Sequence, residues 1–381
     1  MTAEIASRIA EITAGEVDWK ALLELAAEHS VTPLLSRQLL SQCADALPAE
    51  TSAALRAASA QIAGRNLQLG AEMLRLANRF RETGIQAVPY KGPLLAAHAY
   101  GNLALREFAD LDFAIRQSDF PRAQALLTSE GYAATFGATP EGEAARPSHS
   151  DYPFFRAADS VIVELQTDKT LRYYPKPLNF DVMFGRLRQV SVGGQNVASF
   201  SNEETLIMLA VHGTKHFWER LMWIADIAEL VQVEDSVAWP ELFARAAEMR
   251  VQRMVKLALY ISREMLDAPL PGAVLEKLQG DPATKRIGDG IRARFLQGIN
   301  GDLPVFSRFR FRLATSESFW RGIPYALRLA TTTTDSDRED VPLPGKFSKA
   351  HTLLRPFLLM RRYGVRRQQP VQSRKHQGKP I

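Results

Sequence analysis

The sequence predicts an α+β fold, with a small mixed β-sheet flanked by N-terminal and C-terminal helical regions. Three observations lead there. Apolar residues recur at helical spacing through residues 3–85. Short strand-like runs, VIVEL at 161–165 foremost, appear between 86 and 200. Helical periodicity resumes at Ser201. The predicted organisation is a helical region at 1–85, an α/β core at 86–200, a helical domain at 201–330, and a linker with a basic tail at 331–381.

In the first region Trp19, Leu22, Leu23, Leu25 and Ala26 follow Asp18, an expected N-cap. Val31–Leu40 and Ser52–Thr83 continue the helical pattern. Pro33 and Pro48 mark breaks, and Gly84 is the expected stop. In the core, Ala87–Tyr90 and Asp110–Ile115 read as strands. Ser118 is expected to cap a helix that runs through Glu130 and closes at Gly131. Tyr152–Arg156 and Val161–Leu165 read as further strands, with a polar loop at Gly137–Ser150 before them. Val190–Val192 and Val197–Phe200 read as a hairpin around Gly193-Gly194-Gln195-Asn196, part of the same sheet. Ser201 and Glu204 predict a capping box. Helices are then expected at about 202–232, 239–267 and 271–298, with further helical pieces at 302–330 and a linker-like loop at 331–345.

At 381 residues and 46% hydrophobic content the chain is a folded one of two or three units. No apolar run approaches the roughly 20 residues of a membrane span. The opening MTAEIASRIAEITAGE lacks a basic flank and an apolar stretch, so a secretory signal is not expected. A single cysteine, Cys43, excludes an internal disulfide framework and reads as a buried thiol. Together these predict a cytoplasmic protein. The net charge of +5 is unevenly spread. Residues 346–381 hold ten Lys or Arg and no acid, so the first 345 residues carry −5. Such a tail reads as a solvated end that could contact an acidic partner.

The chemistry concentrates in YKGPLLAAHAYGNLALREFADLDFAI, residues 90–115. Alternation along a strand puts Asp110 and Asp112 on one face, with Leu111 and Phe113 on the other. Two neighbouring carboxylates repel unless a cation lies between them, and Mg²⁺ is the usual occupant. Glu164, in the apolar strand VIVEL, is the expected third ligand, since a carboxylate there calls for a partner or a metal. Three such groups could hold two Mg²⁺ ions for phosphoryl or nucleotidyl transfer, with Glu164 also accepting the proton of an attacking hydroxyl.

Lys91-Gly92-Pro93 forms a strand-to-helix turn suited to phosphate, although it does not match a Walker loop. Arg106 is expected either to contact the triphosphate or to form a salt bridge. His212 and His216 share one helix face, which Lys215 adjoins. That face reads either as a polar surface turned to a nucleotide's phosphates or as hydrogen-bonded histidines between helices. Gly213 stands where a zinc protease would carry Glu. Trp218, Leu221, Trp223 and Ile227 are expected in the core.

Lys91-Gly92, Leu94, Tyr100-Gly101, Leu105-Arg106 and Asp110-Leu111-Asp112 resemble the bacterial uncharacterised nucleotidyltransferase family, a branch of the polymerase-beta-like nucleotidyltransferase superfamily. Residues 18–35, 212–230 and 354–364 are similar to further segments of that family, so the resemblance spans roughly residues 17–365. It implies a small mixed sheet with helical additions, Mg²⁺ dependence, and transfer of a nucleoside monophosphate from an NTP, expected to be ATP, to a small-molecule or protein acceptor. It gives the metal-ligand roles to Asp110, Asp112 and Glu164 and the phosphate-loop role to Gly92. Two departures stand out. Gly92-Pro93 replaces the superfamily's Gly-Ser or Gly-Gly, and Glu164-Leu165-Gln166-Thr167 lacks the His-Trp that tends to follow the family's third carboxylate. The second motivates an alternative expectation, a catalytically silent nucleotide-binding module. An antitoxin-like enzyme that modifies a partner protein is another.

Overall fold

Asp18 opens the Trp19–Glu28 helix as expected, its side chain accepting a hydrogen bond from the Ala21 amide at 3.0 Å. The computed structural model describes residues 3–13, 15–135, 151–167, 180–233, 237–298 and 303–317. The chain divides into two units, Met1–Arg172 with Pro177–Gly301, and Tyr173–Lys176 with Asp302–Ile381. The described part of the second unit is the Val305–Thr315 helix and its immediate flanks. The expected loop at 137–150, the linker at 331–345 and the basic tail lie outside the described residues.

The first unit begins with helices Ala3–Thr13, Trp19–Glu28, Thr32–Gln42 and Ala49–Glu82. Pro33 sits in the first turn of its helix, where its missing N–H costs nothing. Gly84, at φ +69°, follows the end of the long helix. Cys43 is buried as a free thiol.

The sheet contains β1 (Val88–Pro89), β2 (Asp110–Ala114), β3 (Ala133–Ala134), β4 (Asp151–Arg156) and β5 (Val161–Gln166), in the order β1-β2-β5-β4-β3. β2 and β5 run parallel and the other pairs antiparallel, so the sheet is mixed. One face is apolar. Leu111, Phe113, Val161, Val163 and Leu165 join a core with Leu69, Met73, Leu76 and Phe80 of the long helix. The rings of Phe80 and Phe113 lie 5.5 Å apart. The long helix also ties the connections. Buried Asn66 donates to the carbonyls of Leu103 and Arg106, which lead into β2. Arg65 donates to the carbonyls of Asp159 and Ser160 in the turn before β5. The helix that packs the sheet therefore also sets where both of its site-bearing strands begin.

Three expectations change. Ser118 is not a cap: it lies in a short 3-10 turn, Gln117–Asp119, and the following helix runs Phe120–Ser129 with no side-chain cap. The expected hairpin forms, as β6 (Arg188–Val192) and β7 (Gln195–Ser199) around Gly193-Gly194 at positive φ, but it makes its own two-stranded sheet. The long helices expected after Ser201 are each divided. Asn202–Lys215 and Leu221–Gln232 replace 202–232, Trp239–Glu248 and Gln252–Leu266 replace 239–267, and Gly272–Gln279 and Pro282–Leu296 replace 271–298. The Ser201–Glu204 capping box is present. Among the described residues no helix is long and apolar enough to cross a membrane.

Candidate functional site

Parallel pairing of β2 with β5 sets Asp112 opposite Glu164 and Ala114 opposite Gln166. Strand alternation then gathers Asp110, Asp112, Glu164 and Gln166 on the sheet face opposite the apolar core. All four line one cavity of about 590 Å³, together with Tyr90, Lys91, Gly92, Arg106, Glu107, His212, Lys215, His216 and Trp223 among others. Every site residue expected from the sequence therefore lies on this cavity. A second cavity, about 610 Å³, lies among the C-terminal helices, where Arg263, Lys285, Asp289 and Arg292 line it. It has no strand carboxylates, and the chemistry points to the first.

Lys91 and Gly92 occupy the turn between β1 and the Gly92–Ala99 helix. Gly92 has φ +50°, and a Cβ there would lie 3.3 Å from the Asp110 carbonyl oxygen. The turn thus needs glycine both for its backbone angle and for its approach to β2. Lys91 turns into the cavity, with Nζ 3.2 Å from Asp112 Oδ1 and 5.0 Å from the Tyr90 ring centre. Burial opposes its charge, but Asp112, Asp110 and Glu164 outweigh that and raise its pKa, so it stays an ammonium.

Asp112 is held from three sides. Besides Lys91, Gln166 Nε2 donates to its Oδ1 at 3.0 Å, and the Tyr90 hydroxyl lies 3.4 Å from the same atom. Gln166 Nε2 also lies 3.4 Å from Glu164 Oε2, and Gln166 Oε1 accepts from the Tyr90 hydroxyl. Tyr90 thereby fixes which way the amide faces and leaves its NH₂ for the carboxylates. Burial and the neighbouring Asp112 push the Asp110 carboxyl up to about 6, against the opposing pull of Lys91 and Arg106.

These donors suit a hard divalent cation. Asp110 and Asp112 repel in a buried cleft, Glu164 stands beside Asp112, and oxygen ligands are what Mg²⁺ takes. Asp110, Asp112 and Glu164 would hold it. Among the described residues, however, no three acidic, histidine or cysteine side chains form a ready cage. The backbone register puts the three carboxylates on one sheet face, while Lys91 and Gln166 engage Asp112.

Arg106 resolves the choice left open by the sequence. Its Nε and one terminal nitrogen bind both oxygens of Asp226 at 2.7 and 2.8 Å, and the Tyr100 hydroxyl donates to Asp226 at 2.8 Å. Both side chains of the pair are almost fully buried. Arg106 therefore shows the structural salt bridge, fixing the 103–106 loop to the Leu221–Gln232 helix.

The helical wall follows from a chain reversal absent from the sequence reading. The Asn202–Lys215 helix ends in a Schellman motif, with the Trp218 amide bonded to the Gly213 carbonyl at 2.8 Å and the Phe217 amide to that of Thr214 at 3.2 Å. Phe217 and Trp218 have φ of +58° and +53°, so two side-chain-bearing residues occupy left-handed backbone. Trp218 folds back over Gly213, where an added Cβ would lie 2.5 Å from its ring. His216 consequently sits at the C-cap, just past the helix, with its ring 4.7 Å from that of His212. Trp223 closes the group, 5.4 Å from His212 edge-on and 5.2 Å from His216. Trp223 is half-buried and lines the cavity, whereas the sequence reading placed it in the core. Trp218 and Ile227 are in the core as expected, and Leu221 is half-buried.

Sequence reasoning missed Tyr90, Trp223 and Glu107, and it met Gln166 only as a departure from a pattern. Asp226, an acid in the apolar run WIADIAEL, was a signal that a buried cation must lie opposite it.

Residues 15–267 match the family model described as uncharacterised nucleotidyltransferase, well over half of the chain. No curated protein matches the sequence. Among solved structures the chain is similar to the antibiotic-resistance factor ANT(2'')-Ia, with 10% identity, coverage of 53% of this chain and 95% of that chain, and a TM-score of 0.30. It is also similar to an antigenic nucleotidyltransferase-like protein from Paracoccidioides brasiliensis, with 16% identity, coverage of 55% and 96%, and a TM-score of 0.30.

Proposed function

From the premise that the chain belongs to the uncharacterised nucleotidyltransferase family, we propose that it moves a nucleoside monophosphate from an NTP to a hydroxyl-bearing acceptor in a Mg²⁺-dependent reaction. One observation carries this reading: Asp112 and Glu164 pair in register on a sheet face that lines a cavity, with Asp110 on the same strand and Lys91 3.2 Å from Asp112. Mg²⁺ bound by these carboxylates would offset the charge of the triphosphate.

The chain's own residues supply the rest. The backbone amides at the start of the Gly92–Ala99 helix and the Lys91 ammonium favour phosphate. Lys215, on the same cavity, adds positive charge from the helical side. Glu164 takes the proton from the acceptor hydroxyl as its oxygen bonds to the α-phosphorus. The bond from the α-phosphorus to the bridging oxygen breaks, and pyrophosphate leaves with that electron pair.

The test is a metabolite and protein acceptor screen with labelled NTPs, read by mass spectrometry alongside pyrophosphate release. The expected result is an acceptor gaining one nucleoside monophosphate, with none gained in the Asp110→Asn/Asp112→Asn variant. A second reading, a catalytically silent nucleotide-binding module, is favoured by the engagement of Asp112 with Lys91 and Gln166. NTP binding in calorimetry without pyrophosphate release on any acceptor would select it.

A further inference from the structure

We propose that His212, His216 and Trp223 form a stacking platform for the nucleotide's base, a subsite on the helical wall of the cavity; this rests on the nucleotidyl-transfer reading above. The three rings pack on one another at centroid separations of 4.7 to 5.4 Å. All three are half-buried, and all line the cavity that the carboxylates line. A ring cluster serving only as core would be closed off, as Trp218 is at 0% exposure.

The ring cluster itself is suited to a planar, neutral group rather than to phosphate. Burial, followed by the charges of Lys91, His216, Lys215 and Arg106, holds the His212 pKa well below its ordinary value, so His212 presents a neutral ring at neutral pH. The same fact locates the wall, because the Lys91 that binds Asp112 also acts on His212. With the phosphates at Lys91 and at the Mg²⁺ that the strand carboxylates would hold, the base is tethered to them through one sugar, and the rings line the same cavity. An acceptor carries no such tether. The cavity volume, about 590 Å³, lies within the 300–1,000 Å³ range of small-ligand sites. The Arg220 guanidinium, 5.9 Å from the Trp223 ring centre, flanks the platform at the same cavity.

Calorimetry of the full chain with Mg²⁺, using ATP and inorganic triphosphate as separate probes, tests this. Stacking of a base on an aromatic side chain contributes about 1–3 kcal/mol, so Trp223→Ala should weaken ATP roughly 5- to 150-fold while leaving inorganic triphosphate unchanged. Trp223→Phe keeps a ring and should retain most of the ATP affinity, which guards against misfolding of the alanine variant. Equal ATP affinity in Trp223→Ala and wild type overturns the platform, and so does equal loss of both probes. Failure of the wild type to bind either probe overturns the nucleotide reading itself. Binding of triphosphate by wild type with no added gain from the base overturns only the platform.

Discussion

Asp226 shows how one side chain can hold a site that it does not enter. It accepts both nitrogens of the Arg106 fork and the Tyr100 hydroxyl, with almost no exposure. Burial and Asp226 together also lift the Tyr100 hydroxyl well above its ordinary pKa, so it remains a donor. Removing Asp226 would leave a buried guanidinium with no counter-ion. Asp226→Ala should therefore lose about 3–5 kcal/mol of stability in urea denaturation. A loss under 1 kcal/mol would mean that Arg106 finds another partner at little cost. At this scale the sequence was legible where a local rule sufficed. Asp110 and Asp112 share a face because strands alternate, and Gly92 was expected at the phosphate turn because of its position between strand and helix. Tyr90, Gln166 and Trp223 were not legible, since their roles depend on partners 22 to 76 residues away or on a helix break. Among the expected residues, Lys91 shows the same limit. Its contact with Asp112, 21 residues away, was not legible.

At the scale of elements, the break after Lys215 is the feature periodicity could not reveal. Apolar residues continue in helical register across 209–231, so nothing in the pattern marks an end, and the left-handed residues are Phe and Trp rather than Gly. The sign that was present is Gly213, the only residue that leaves room for the Trp218 ring. Gly213→Ala should displace Trp218 and with it the His216 and Trp223 rings. The expected outcome is a loss of about 1–3 kcal/mol in stability, the range of overpacking, together with weakened ATP binding. An unchanged thermal midpoint would contradict the packing described. The junction between the long helix and the sheet makes a pH-dependent expectation. Burial raises the Glu72 pKa, but hydrogen bonds from Arg75, Tyr132 and Arg156 outweigh it and hold the carboxyl below its ordinary 4.5. A lowered carboxylate pKa stabilises the fold above the unfolded value and loses that contribution as pH falls through the folded one. Wild type should therefore lose stability below about pH 4.5, and Glu72→Gln should narrow that loss. Parallel pH profiles of the two proteins in denaturant titrations would contradict it.

At the scale of the molecule, the α+β class and the helix–sheet–helix order were legible because each region keeps its own hydrophobic period over many residues. The pairing order was not, since β2 meets β5 across the 46 intervening positions 115–160, which carry no register signal. That pairing is what turns a local Asp-x-Asp into a three-carboxylate face on a cavity. The helical wall then supplies Lys215 and the rings, and the Ala49–Glu82 helix supplies the packing beneath. The central claim is that this face works on nucleotides. Its most direct test is Mg²⁺-dependent pyrophosphate release from labelled NTPs, in the presence of the screened acceptors, by wild type and by Asp110→Asn/Asp112→Asn, with circular dichroism confirming that both are folded. Release by wild type and its abolition in the folded variant is the expected result; a folded variant with full activity would contradict it.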